Sequence, residues 1–395
     1  MSKKRMILLA LCLAGLASCK KDTVQDPGFY DCQLPFADSS SSNPANAKYA
    51  ALLSGITGEG VPGILMSVVQ PGTGLWTGAS GMADLAGGVA LQPCNISRVG
   101  STVKTFTAVT VLMLAEEGKL SLDDKASDYL SSEDIRDIEN ADKATIRQLM
   151  QHSSGIYNYI QNLQFQTASL NDLIREWKPE DLLQYARKKP AYFDPGTDVS
   201  YSNTNYILLG MIITNVEGKP FYEVFKEKIF NPLGLTMTVF AATDPVPPGI
   251  IRGYVDFYST LDVMDATYYS GWDYYTADGG LISNPNDMNT FLQALFGGTL
   301  LSAASLQEMT AWMTPSEQDP DFFPVSYGLG IFKMDTPWGE AWFHSGDAIG
   351  YYAAMTYFPD RQTFITWAVN GNYGKIDEFT QTKQAMEKIF GVVFD

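Results

Sequence analysis

A long apolar segment begins just after Gly100. From Ser101 to Glu117 the chain is apolar nearly all round, and Gly118 closes it. That is too long for a strand and predicts a buried helix, although its many Thr and Val residues are weak helix formers. Residues 45–53 have helical spacing. Residues 64–69 and 75–80 are β-compatible runs around the turn Pro71-Gly72-Thr73-Gly74, which predicts a hairpin. Beyond residue 120 a polar region reads as helical, and residues 145–151 as a short amphipathic helix. Helical segments with Pro and Gly stops follow, at 206–216 and 221–230, and Ser283-Asn284-Pro285 caps another that runs to about 296. The last third changes period: 327–332, 341–345, 350–358 and 363–369 read as strands, and 377–390 as a final helix. Strands at both ends with helices between predict an α/β (α+β) fold. One antiparallel sheet is built from both termini, flanked by helices and carrying an inserted helical subdomain.

The N-terminus has a pattern of its own. Lys3, Lys4 and Arg5 precede the apolar run 6–16, which is too short to span a bilayer and reads as a secretion signal over residues 1–18. Residues 19–44 are polar and read as a tether, leaving 45–395 as the folded domain. Losing the signal takes the formal charge from −17 to −20. So acidic a chain is a poor partner for nucleic acid. Of four cysteines, Cys12 lies in the signal and Cys19 at its end. Cys32 and Cys94 remain, and an oxidising compartment makes them either a disulfide or two separate buried thiols. The only histidines, His152 and His344, are far apart in sequence, and no Cys/His cluster supports a metal site. No cofactor is expected. The oligomeric state is not readable.

Three short patterns carry candidate chemistry. Ser101 and Lys104 stand one helical turn apart, so hydroxyl and amine can meet. A lysine kept neutral by burial can activate a serine, and free N–H groups at a helix start favour an oxyanion. Alone, the pair reads equally as a helix cap and a solvated lysine, and Ser18-x-x-Lys21 matches the same pattern. Tyr201-x-Asn203 is the only such spacing among 21 tyrosines. In an extended segment its phenol and amide face one cleft, where a tyrosinate beside an ammonium can shuttle a proton; a turn with Asn203 as a helix cap is the other reading. His344-Ser345-Gly346 ends a predicted strand. It is either an oxyanion-hole edge or a core histidine before a turn.

Together, and in this order, Ser101-x-x-Lys104, Tyr201-x-Asn203 and His344-x-Gly346 resemble the three motifs of the serine β-lactamase and penicillin-binding protein superfamily. The resemblance is to its class C-like branch of D,D-carboxypeptidases, D-aminopeptidases and esterases. Leu149-Met150-Gln151-His152-Ser153-Ser154-Gly155-Ile156 and Asp278-Gly279-Gly280-Leu281 resemble further signatures of the branch. Leu16-Ala17-Ser18-Cys19 resembles a bacterial lipobox. The resemblance implies a β-lactamase/transpeptidase-like fold and a serine hydrolase lipid-anchored through Cys19 in the bacterial cell envelope, on either membrane face. Its substrate would be a small molecule or peptide. Ser101 would be the acylated nucleophile, with Lys104 and Tyr201 sharing the base work and Asn203 binding the substrate amide. The N–H groups of Ser101 and Asp347 would form the oxyanion hole, beside Gly346. His152 is expected to brace the helical subdomain. Where penicillin-active members carry K-T-G, this chain has His344 and then Asp347. That argues against β-lactamase as the native role and leaves peptidase, esterase and non-turnover sensor open. A nearby Asp347 would raise the His344 titration and let a protonated ring hold a substrate carboxylate. The aromatic stretch 268–275 is a candidate pocket wall.

Overall fold

A glycine-containing turn sets up the first half of the sheet. In the computed structural model, which describes residues 25–269 and 275–395, strands β1 (Gly63–Gln70) and β2 (Gly74–Asp84) form the expected hairpin. Its register runs from Gly63 opposite Gly81 to Gln70 opposite Gly74. Gly72 and Gly74 take the positive φ values (83° and 72°) that the tight turn needs. β3 (Val89–Ala90) extends this side. The other half comes from the C-terminal third: β4 (Val325–Tyr327), β5 (Phe332–Thr336), β6 (Gly339–Ala348), β7 (Tyr351–Phe358) and β8 (Thr363–Val369). Among the described residues the main sheet has eight strands in the order β3-β2-β1-β8-β7-β6-β5-β4. The antiparallel seam of β1 on β8, Ile64 opposite Val369, joins the two ends of the chain.

Strand alternation assigns the faces. Ile64, Met66 and Val68 pack with Tyr49, Leu52, Leu53 and Ile56 of helix α1 (Asn46–Gly58). Met386, Ile389 and Phe390 of the last helix close this layer. The opposite face meets the inserted helical subdomain. Its centre is helix α2 (Val103–Glu116), buried on all sides through its first ten residues, flanked by α3 (Asn203–Glu217) and α4 (Pro285–Phe296). Phe106 of α2 stacks on Phe291 of α4 at 3.7 Å between ring centroids. The threonines that weaken the helix prediction are accommodated because their hydroxyls find acceptors inside it: Thr107 donates to Val103 O and Thr110 to Phe106 O.

Four expectations need correction. The polar region after residue 120 is built of turns with one 3-10 turn, Ala126–Asp128, and no α-helix before Ile146–Met150. The expected strand 327–332 is a hairpin instead: β4 and β5 flank a bend at Gly330, where a Cβ would lie 2.3 Å from the Cβ of Ala108 on α2. The final helix is two, α5 (Lys375–Thr380) and α6 (Lys383–Phe394), broken at Gln381. The described part of the expected tether, residues 25–44, is largely exposed but held to the domain at points: Tyr30 and Ser40 are buried, and Cys32 is disulfide-bonded to Cys94. The signal segment, Cys19, Trp272 and Tyr274 lie outside the described residues. Within them, no helix is long and apolar enough to cross a membrane.

Candidate active site

Ser101 sits in a 3-10 turn, Gly100–Thr102, that feeds directly into α2. The turn is pressed against β6. A Cβ on Gly100, whose φ is +49°, would lie 2.4 Å from the Asp347 carbonyl oxygen; one on Gly346 would lie 2.2 Å from Val99 O and 2.4 Å from Ser101 N. Only glycine at both places lets the two backbones approach this closely, which brings the backbone of Ser101 beside that of Asp347. β5 pairs with β6 only as far as Phe343. Beyond it the edge of β6 faces the Ser101 turn rather than another strand.

At the second position of α2, one turn beyond Ser101, Lys104 is fully buried. Its Nζ donates to Ser101 Oγ at 2.8 Å and to the Asp278 carbonyl at 2.5 Å. It lies 5.1 Å from the Tyr201 ring centroid. Burial pushes the Tyr201 phenol well above its ordinary value, while a hydrogen bond with Ser101 pulls the other way. Tyr201 is therefore a neutral phenol at rest, not the tyrosinate anticipated from the sequence.

Tyr201 and Asn203 both reach the cavity, as the extended spacing requires: Ser202 between them has β dihedrals (φ −138°, ψ 116°), and α3 starts at Asn203. Asn158 fixes this loop. Its Oδ1 accepts from the Asn203 N–H (3.2 Å) and side-chain amide (3.4 Å), and its Nδ2 donates to Tyr201 O. His152 braces it from beneath. Its Nδ1 accepts from Ser202 N–H at 3.1 Å, its ring packs 4.4 Å from Tyr201, and burial holds it neutral. The buried carboxyl of Asp278 accepts from Tyr159 Oη at 3.1 Å; burial raises its pKa, and the Lys104 charge opposes that rise. Sequence reading named neither Asn158 nor Tyr159. An asparagine or tyrosine in a loop carries no pattern by which to single it out.

His344 requires the largest correction. It lines the cavity but is 1% exposed. Burial, then the Lys104 charge, lowers its pKa to about 3, the reverse of the expected rise. The reason is strand parity: residues 344 and 347 are an odd number apart on β6, so their side chains leave opposite faces. Nδ1 lies 2.7 Å from the Ser345 carbonyl, which can only accept. Nδ1 thus carries the proton and Nε2 is left as a lone pair, with no hydrogen-bond partner among the described residues. Asp347, on the other face, opens to solvent at the cavity and accepts from Gln381 Nε2 at 2.9 Å. Close packing around the carboxyl, then repulsion from Asp377, raises it to about 6.

The cavity of about 400 Å³ thus contains Ser101, Tyr201, Asn203, His344, Gly346 and Asp347 together, with aromatic walls from Phe322, Tyr327, Phe332 and Phe343. A serine in contact with a buried lysine and a phenol, beside a strand edge, is an arrangement suited to acyl transfer.

Comparison with known proteins agrees with this geometry. The Beta-lactamase family model matches residues 49–387. Penicillin-binding protein 4* of Bacillus subtilis is 26% identical, over 80% of this chain and 69% of its own length. Other relatives are longer, and the chain spans 57% and 45% of two of them. Among solved structures, a D-stereospecific amidohydrolase from Streptomyces sp. superposes with TM-score 0.75 at 29% identity, covering 88% of this chain and 98% of that one. The D-amino acid amidase of Ochrobactrum anthropi SV3 shares the fold, with TM-score 0.77 at 24% identity over 88% and 97% of the two chains. The chain belongs to the beta-lactamase family and is a serine hydrolase of the β-lactamase/transpeptidase-like fold.

Proposed function

We propose that the protein is an amidohydrolase that cleaves short D-amino acyl amides or peptides through an acyl-enzyme on Ser101. The observation that carries this reading is the 2.8 Å contact of Lys104 Nζ with Ser101 Oγ under the neutral Tyr201 phenol. In the reacting form Lys104 is the free amine beside the neutral Tyr201 phenol: Ser101 Oγ attacks the substrate carbonyl as its proton passes to Lys104 Nζ, which becomes the ammonium. The N–H groups of Ser101 and Asp347 receive the oxyanion, and the free edge of β6 takes the substrate backbone as an added strand. Asn203, held by Asn158, meets the substrate amide. Lys104 returns the proton to the leaving amine, and water then releases the acyl group by the same route in reverse. The D preference is taken from the two similar solved structures, whose names specify D substrates.

The absence of a lysine at position 344 and the neutral His344 favour an amidase or aminopeptidase over a carboxypeptidase or β-lactamase. We place the protein in the bacterial cell envelope, anchored through a lipid on Cys19. The lipobox-like run at residues 16–19 supports this, and the Cys32–Cys94 disulfide suits an oxidising compartment. The test is fluorophosphonate labelling read by intact mass: one adduct on the wild type and none on Ser101→Ala. Labelling that survives Ser101→Ala ends this assignment.

A further inference from the structure

We infer that Asp347 selects acyl donors bearing a free ammonium group, so that the natural substrate is an unblocked amino acyl amide or peptide N-terminus rather than an N-acylated or carboxylate-bearing compound. The inference rests on the Ser101 reading above and extends it to the substrate's charge.

The charge on the cavity wall sets the sign. Asp347 is the only charged side chain on the described cavity wall, and it is open to solvent there. It stands one residue beyond Gly346, whose backbone touches the Ser101 turn. A donor bound with its carbonyl at Ser101 therefore has its α-substituent beside this carboxylate. His344 is 99% buried with its Nδ1–H spent on Ser345 O, so it adds no cation to the wall. An ammonium can pair with the Asp347 carboxylate; a substrate carboxylate is repelled by it. Lys104 is fully buried, donates to Ser101 Oγ and Asp278 O, and is not among the residues that line the cavity. Behind Asp347, Gln381 bridges it to Asp377, so a second negative charge stands in the same direction. The net charge of −17 adds a long-range bias against anions. The aromatic walls suit a phenyl or similar side chain on the donor.

The test uses three 4-nitroanilides of D-phenylalanine: the free amine, the neutral N-acetyl form and the anionic N-succinyl form. kcat/KM is measured at pH 7, where an α-amino group with a pKa of about 7.7–8.0 is mainly charged. The wild type should prefer the free amine to the N-acetyl form by about tenfold or more, and the N-succinyl form should be worst. In Asp347→Asn the ratio of free amine to N-acetyl should fall at least about fivefold; a ratio cancels any rate change common to both donors. Each compound is also tested for protection of Ser101 against a fluorophosphonate, which reads binding even where turnover is slow. An unchanged ratio in Asp347→Asn, equal use of all three donors, or no protection by the free amine overturns the inference while leaving a labelled Ser101 intact. Failure of Ser101 to label at all removes the reading beneath it.

Discussion

Adding one methyl group at Gly346 tests whether the contact between β6 and the nucleophile turn is what assembles the site. In Gly346→Ala the new Cβ would start 2.2 Å from Val99 O, 2.4 Å from Ser101 N and 2.7 Å from Gly100 C. All three are backbone atoms, so no flexible side chain can swing away. Reaching an ordinary contact of 3.4 Å or more means that strand and turn must part by roughly 1 Å. A misplacement of that size costs about 100-fold in rate when it falls on positioned groups. Overpacking of this kind destabilises by about 1–3 kcal/mol, which a domain of this size survives. The assay is kcat/KM on a D-amino acyl anilide alongside urea denaturation. Gly55→Ala is the control: it lies inside α1 with nothing within 4 Å of its Cβ. It should leave the rate unchanged and stabilise by about 0.5–1 kcal/mol, since Ala is the better helix former. A Gly346→Ala enzyme that folds and retains the wild-type rate would show that the turn and strand need not touch for catalysis.

Other outcomes follow from the same coordinates. Lys104→Ala and Tyr201→Phe should each reduce turnover by about two to four orders of magnitude, and a near-normal rate in either removes that residue from the proton path. Because the His344 pKa is lowered to about 3 in the fold, the unfolded chain binds more protons between there and ~6.5. Its contribution to stability is therefore complete above pH ~6.5 and is lost as pH falls toward 3; urea midpoints for His344→Asn should show a shallower decline than wild type. The Asp347 carboxyl, raised to about 6, loses its charge on acidification. The preference for a free amine should weaken as pH drops through about 6 in the wild type and stay level in Asp347→Asn, and a level wild-type ratio contradicts the assignment. The groups around that carboxyl are Gln381, Asn372, Tyr352 and Asp377, and Asp377→Asn should lower the midpoint. Opening the Cys32–Cys94 bridge, 62 residues apart, should cost about 4 kcal/mol if the chain-entropy account holds, read as a lower urea midpoint in Cys32→Ser.

The parts of this protein that sequence pattern reveals are those fixed by local spacing. One helical turn puts Lys104 on Ser101, and two extended residues put Tyr201 and Asn203 into one cavity. The hairpin at 63–84 and the strand at 363–369 follow from turns and apolar runs that no tertiary contact overrides. What stays hidden depends on neighbours distant in sequence. The titration of His344 is set by burial and by Lys104, 240 residues away along the chain, not by nearby Asp347. The bend at Gly330 is imposed by Ala108 on another element. The break at Gln381 falls where its side chain reaches Asp347 and Asp377, and helical periodicity carries no sign of that. Asn158 fixes the Tyr201–Asn203 segment, and Tyr159 bonds Asp278, from a loop whose residues are ordinary in isolation.

The central claim is a covalent intermediate on Ser101 formed by an amide substrate. Its most direct test is acid-quenched intact mass spectrometry during turnover of D-phenylalanine 4-nitroanilide, with peptide mapping of the adduct. The account predicts a D-phenylalanyl mass increment on the peptide carrying Ser101, absent from Ser101→Ala. It also predicts accumulation in Tyr201→Phe if deacylation slows more than acylation. Turnover with no adduct at any quench time in either enzyme, or an adduct mapped to another residue, would contradict it.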